Sequence, residues 1–319
     1  MLRQWIAFAA GLLISGAPVY AETYPVRPVR FIVVFPAGGN ADLMARLIGQ
    51  KLADAFGKPF IIDNRGGAGG AIGEEIAARA TPDGYTILLV SLAHVVTPTL
   101  NKRLSYDPMR AFTPVSLAVS VPNILMIHKS LNVRSVPELI ALAKARPGML
   151  NYASSYSTSL HIAGELFKVM AGVDIVNVNY KSGGLAVPDL EAGRVHMAFS
   201  VITTALSMLK SGRTRALAVT SAKRSPALPG VPAIAEFVPG YELTGWQGIL
   251  APAGTPRAII SKLSVEIGRI MRAPDVRDRL VAMGADPIGS TPEEFTAFRK
   301  TEFEKLASLV SKARIRPEY

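Results

Sequence analysis

The run Phe31-Ile-Val-Val-Phe-Pro-Ala-Gly-Gly-Asn-Ala-Asp42 constrains the fold more than any other stretch of this chain. Ile32, Val33, Val34 and Phe35 form a short continuous apolar run, the pattern of a strand buried on both faces. Pro36 ends it. At Gly38 and Gly39 the backbone can take angles closed to other residues, and a ligand can come close to the main chain. Asn40 is a good N-cap, and Met44, Leu47, Ile48, Leu52 and Ala55 then recur at helical spacing. The segment predicts strand, glycine turn and helix. Such a turn presents free N–H groups, Ala37 to Asn40 among them, at the positive end of a helix dipole, which suits an anion. Asp42 falls in the first turn, where an acid complements the dipole and orients the turn. An ordinary strand–turn–helix connection has the same pattern, so this segment alone leaves both readings open.

The rest of the chain alternates strand and helix signals, which predicts α/β layers with mainly parallel sheets. Strands are expected at Phe60–Asp63, Thr86–Val90, Leu150–Ala153, Asp174–Tyr180, Val195–Phe199 and Arg215–Thr220. Ser135-Val-Pro-Glu138 and Thr291-Pro-Glu-Glu294 read as capping boxes, each opening a helix. Asn64-Arg-Gly-Gly-Ala-Gly-Gly-Ala-Ile-Gly73 resembles a dinucleotide fingerprint only superficially, because Ile72 stands where the third glycine belongs. A close helix–strand approach explains these glycines better. Several strands end in small or hydroxyl residues just before helices. In open α/β sheets ligands bind outside such strand ends. The candidate lining is therefore Ala37, Gly38, Gly39, Asn40 and Asp42, then Ser91, then Ser154, Ser155, Tyr156, Ser157 and Thr158, then Lys181, Ser182, Gly183 and Gly184, and Ser200. Hydroxyls and main-chain donors with little apolar surface suit a small oxyanion.

Arg3 followed by the apolar stretch Ile6–Ile14 and by Val19-Tyr-Ala21 reads as a signal peptide cleaved after Ala21. No cysteine follows the cut to take a lipid, and about 300 residues remain, long enough for two domains. The absence of cysteine excludes disulfides, thiolate metal sites and thiol nucleophiles. His94, His128, His161 and His196 lack metal-ligand spacing, so no metal or other cofactor is expected. The formal charge is +11, but Lys and Arg are dispersed among acids and do not interleave with aromatics. That pattern speaks against nucleic acid and for solubility with weak steering of anions.

Phe35-Pro-Ala-Gly-Gly-Asn-Ala-Asp-Leu-Met-Ala-Arg46 resembles the first signature of the Bug (TctC-type) family, the periplasmic solute receptors of tripartite tricarboxylate transporters. The similarity continues through Pro82-Asp-Gly-Tyr-Thr86, Leu150-Asn-Tyr-Ala-Ser-Ser155, His161-Ile-Ala-Gly-Glu-Leu-Phe167 and Asp189-Leu-Glu-Ala-Gly-Arg-Val195. It extends to Leu250-Ala-Pro-Ala-Gly-Thr-Pro256 and Gly289-Ser-Thr-Pro-Glu-Glu-Phe295, covering essentially the whole mature chain. The resemblance implies a type II periplasmic-binding-protein fold: two α/β lobes, 22–122 plus 247–319 and 123–246, with a ligand cleft between them. It implies capture of a small carboxylate in the periplasm by a monomer, followed by delivery to membrane permease subunits. Ala37 to Asp42 would then form one jaw. Ser154 to Thr158, with His161 behind them, would form the other, completed by Lys181 to Gly184, Ser200 and Ser91.

The chain departs from the family pattern in three places. The second-jaw loop reads Tyr156-Ser-Thr-Ser-Leu160, without its usual glycines. The glycines after Tyr180-Lys181-Ser182 are displaced to Gly183 and Gly184, and Ser200 replaces a common Asp. Loss of that acid predicts a ligand without an amino group: a di- or tricarboxylate, or an aromatic carboxylate stacked on Tyr156. Two other readings remain. The same trap could present its ligand to a sensor, or Ser157 or Ser159 with His161 could serve a hydrolase, although no Gly-x-Ser-x-Gly elbow is present.

Overall fold

β1 (Val29–Val33) shows why a continuous apolar run was needed. Phe31 and Val33 enter one core cluster, while Ile32 and the following Val34 enter another on the opposite face of the sheet. The computed structural model describes residues 24–101, 103–181, 183–225, 228–312 and 315. The expected signal peptide, residues 1–21, and Ser182 lie outside the described residues.

After β1 come α1 (Asn40–Phe56), β2 (Phe60–Asn64), α2 (Ala71–Ala78), β3 (Thr86–Ser91) and α3 (Ala93–Leu100). β4 (Phe112–His128) is followed by α4 (Val136–Ala145), β5 (Asn151–Ser154), α5 (Ser159–Ala171), β6 (Val176–Asn179) and α6 (Val187–Glu191). β7 (Met197–Val201), α7 (Ile202–Lys210), β8 (Thr214–Val219) and β9 (Thr244–Pro252) come next. The chain closes with α8 (Arg257–Arg272), α9 (Pro274–Ala282), β10 (Asp286–Pro287) and α10 (Pro292–Lys312). Both expected caps form: Ser135 Oγ accepts from the Glu138 N–H, and Thr291 and Glu294 bond reciprocally.

The strand order is β2-β1-β3-β9-β4-β7-β5-β6, with β8 and β10 also on β4. The outer pairs are parallel, as the alternating pattern predicts: β1 with β2 and β3, and β5 with β6 and β7. The centre is not. β3/β9, β4/β9, β4/β7, β4/β8 and β4/β10 are antiparallel, so the expectation of mainly parallel sheets is corrected to a mixed sheet. The physical reason is that helical crossovers serve the two flanks, whereas β4 and β9 carry the chain through the middle as strands. β4 joins two ladders. Phe112 to Pro122 pairs with β9, and Asn123 to His128 pairs with β7 and β8. The result is two α/β lobes built on one shared strand, with the carboxyl ends of β1, β3, β5 and β7 directed at the space between them.

Close approaches explain the second glycine run. A Cβ at Gly73 would sit 2.7 Å from the Arg65 carbonyl oxygen and 3.1 Å from Val34 Cγ1, so α2 rests directly on the β1 end. A buried polar network ties α10 into the same lobe. His94 Nδ1 lies 2.9 Å from Glu74 Oε2, which also accepts from Tyr106. Arg299 Nη1 lies 3.4 Å from His94 Nε2. A guanidinium can only donate, so Nε2 accepts and Nδ1 carries the imidazole proton.

Candidate functional site

The expected first jaw falls on the exposed loop Pro36–Gly39 and the first turn of α1. Gly38 has φ +81°, in the left-handed region that its missing Cβ permits. Gly39, extended at φ −82° and ψ 172°, is the N-cap, and Asn40 is the first helical residue. The cap therefore falls one position earlier than the sequence suggests, because glycine takes the extended cap conformation and no side chain closes it. Asp42 is 3% exposed, and its Oδ2 accepts from the Gly38 N–H at 2.9 Å and from Arg46 Nε at 3.0 Å. Burial pushes this carboxyl up, but the bonds from Arg46 and Gly38 outweigh it and hold the group below its ordinary range. Asp42 is thus a carboxylate that ties the glycine turn to the helix. One consequence differs from the sequence reading. The Gly38 N–H is spent on Asp42, while the first-turn amides Asn40, Ala41 and Asp42 have no helical partner and add donors to the turn.

The second jaw follows β5. Its hydroxyls are turned inward. Ser154 Oγ donates to Asn177 Oδ1 at 2.8 Å, Ser155 Oγ lies 3.5 Å from the Lys181 carbonyl, and Thr158 Oγ1 donates to the Ser155 carbonyl. The Tyr156 N–H donates to Asn179 Oδ1 at 2.8 Å. Ser157 sits at φ +59° and is 4% exposed, taking without glycine the left-handed conformation that glycine takes in the first jaw. Thr158 is the N-cap of α5 in extended conformation, again without a side-chain cap bond. The Ser154, Ser155 and Thr158 hydroxyls thus bond within the protein, and the first-turn amides of α5, without helical partners, add further donors.

His161, in that first turn, is 3% exposed and lies against the half-buried Tyr156 ring, centroids 4.9 Å apart. Burial, opposed by Glu165 and aided by Lys168, pushes the imidazole down to about 4, so it is neutral at neutral pH. Its Nδ1 has no hydrogen-bond partner, and Ser159 Oγ turns to Asn123 Oδ1 at 3.4 Å. The serine–histidine bond that a hydrolase needs is therefore not made here. Among the remaining candidates, Ser91 Oγ accepts from the Ala93 N–H, and Ser200 is buried with Oγ 3.4 Å from the Val201 carbonyl. Lys181 is exposed, and a Cβ at Gly183 would meet Leu160 Cδ1 at 2.6 Å.

Contacts join the two lobes around this site. A Cβ at Gly69 would lie 3.2 Å from Ser157 Cβ, and one at Gly284 would lie 2.5 Å from Ile202 Cβ. Gly69 and Gln247 are cleft-edge residues that the sequence reading missed. Gln247 had a readable signal, a lone polar residue in the apolar run Trp246–Leu250. Among the described residues no group of three or more His, Cys, Asp or Glu could hold a metal, and no helix is long and apolar enough to cross a membrane.

Comparison with known proteins decides the family. Residues 44–315 match the model of the tripartite tricarboxylate transporter family receptor. The chain belongs to that family. This receptor is 37% identical over 299 residues to the protein BugT of Bordetella pertussis, covering 92% of each chain. Its structure superposes with TM-score 0.86 on Rpa4515 of R. palustris with adipate, at 37% identity over 92% of this chain and 99% of that one. It superposes with TM-score 0.81 on MatC of Rhodopseudomonas palustris with bound malate, at 31% identity over 90% of this chain and 100% of that one. The fold is thus the type II periplasmic-binding-protein α/β fold of a Bug/TctC-type solute-binding receptor.

Proposed function

We propose that this receptor captures a small di- or tricarboxylate, or an aromatic carboxylate, in the periplasm and hands it to the permease subunits of a tripartite tricarboxylate transporter. The observation that carries the reading is the pairing of two uncapped helix N-termini, α1 and α5, one in each lobe at the cleft edge. Each offers first-turn amides to a carboxylate, and neither uses a side chain to cap itself. The carboxylates held by two relatives of the same fold, adipate and malate, support this ligand class. The lobes are taken as 22–122 plus 247–319 and 123–246, the chain crossing between them where Asn123 and Thr220 exchange bonds and Thr244 meets Pro122. Ligand contacts to both lobes favour the closed form, since only differential contacts can shift that equilibrium. The working protein is a monomer without cofactor, exported and cleaved after Ala21.

A thermal-shift screen of the mature receptor against a panel of mono-, di- and tricarboxylates tests the reading. A matching acid at 100 times its Kd stabilises the folded state by about 2.7 kcal/mol. A panel with no response, or a response to uncharged solutes alone, would falsify it.

A further inference from the structure

Buried oxygens without hydrogen-bond partners collect on one face of the sheet at the cleft edge. Gln247 is 7% exposed, and its Oε1 is buried with no partner. Its register opposite Ser91, the last residue of β3, and opposite Val119 puts its side chain at the cleft end of the sheet. It lies on the same face as Leu89 and Ile249, which share a core cluster with Ala41 and Met44 of α1. The first turn of α1 stands over that face and adds another, Asn40 Oδ1, beside the Asp42 carboxylate, which takes hydrogen bonds from Arg46, Gly38 and Asn64.

Both are acceptors. A ligand carboxylate cannot satisfy them, because at neutral pH it has no proton to give, and its own partners are the helix amides. Asp42 is ionised and can only accept. Gln247 presents an acceptor and a donor on one carboxamide, so it matches a group that both donates and accepts. A hydroxyl does this. An ammonium would need a counter-charge, and that of Asp42 is already paired with Arg46 at 3.0 Å while Ser200 offers none.

We propose that Gln247 is a specificity-determining residue whose carboxamide accepts a hydrogen bond from, and donates one to, a hydroxyl on the carbon beside the ligand carboxylate, so that the receptor prefers 2-hydroxy carboxylates. The inference rests on the carboxylate reading above and narrows it.

Calorimetric titration of the mature receptor with acids that differ only at carbon 2 tests it: succinate, malate and aspartate, then glutarate, 2-hydroxyglutarate and glutamate. The hydroxy acid of at least one set should bind about tenfold tighter than its plain parent, the worth of one well-made buried hydrogen bond. Gln247→Met, which keeps volume and removes both amide functions, should bring that ratio to within about twofold by weakening the hydroxy acid alone. A ratio near one in the unaltered receptor overturns the proposal whether or not the variant folds. So does a preference that survives Gln247→Met, or tighter binding of the amino analogue. If plain and hydroxy acids bind equally, only this inference fails. If no acid binds, the carboxylate reading fails with it.

Discussion

The two candidate jaws reach the same backbone conformation by opposite means. In the first, Gly38 takes φ +81° in an exposed loop, with nothing within 4 Å of where a Cβ would be. In the second, Ser157 takes φ +59° while buried, fixed by the side chains of Asn179 and Thr158 and by contact with Gly69. A left-handed non-glycine residue costs about 1–2 kcal/mol and persists only where its surroundings over-determine it. The second jaw is therefore a preformed surface. The first is a permissive loop held at one point, the Asp42 bond to Gly38.

Four measurements break or sharpen this contrast. Gly38→Val should have the largest effect. The substitution forces the exposed turn out of φ +81°, misplaces the α1 amides and weakens carboxylate binding at least 100-fold, about 3 kcal/mol. Because the site is open, melting should move only a few degrees. Unchanged affinity would show that this loop is not a jaw.

Next is the pH response of the second jaw. The folded-state pKa of His161 is about 4, below its unfolded value of 6.5, so proton uptake favours the unfolded chain. The stabilisation is complete above pH 6.5 and is lost as pH falls towards 4, up to about 3 kcal/mol. Urea midpoints across that window should flatten in His161→Gln. An equal slope in the variant would mean that the imidazole is not buried neutral.

Gly69→Ala should come third. A Cβ there meets Thr97 Oγ1 at 2.9 Å and Ser157 Cβ at 3.2 Å, and φ is +64°. The closed form should lose about 1 kcal/mol, seen as roughly fivefold weaker binding and less compaction by small-angle scattering on adding ligand. Full compaction in the variant would dismiss the contact. Ser157→Gly should be smallest. Relief of left-handed strain, about 1 kcal/mol, opposes the extra unfolded-state freedom of glycine, about 0.5–1 kcal/mol, leaving stability nearly unchanged. A large loss would show that the serine side chain, not the backbone, holds the loop.

The strand–glycine–helix unit at Phe31–Asp42 was legible because every signal in it is local: an apolar run, a proline, two glycines and a helical period. The loop hydroxyls were legible as residues, but the partners they bond within the protein were not. Whether Ser154 faces a ligand or Asn177 depends on a parallel strand 23 residues away. β4 was not recognised as a strand. Pro114 and Pro122 punctuate it like turn residues, yet each lies where the ladder tolerates it, the first beside a register shift and the second opposite the first residue of β9. Gln247 escaped for a related reason. Its meaning lies in its register with Ser91, which pairs residues far apart in sequence.

That shared strand also determines how the molecule can move. Because β4 keeps ladder bonds on both sides of Pro122, the two lobes are joined by a continuous ribbon rather than a slack tether. Any opening of one lobe from the other would twist this ribbon elastically. Far-ultraviolet dichroism should therefore stay constant when ligand is added, while the fluorescence of Trp246, paired on β9 with Ser120 of β4, should change.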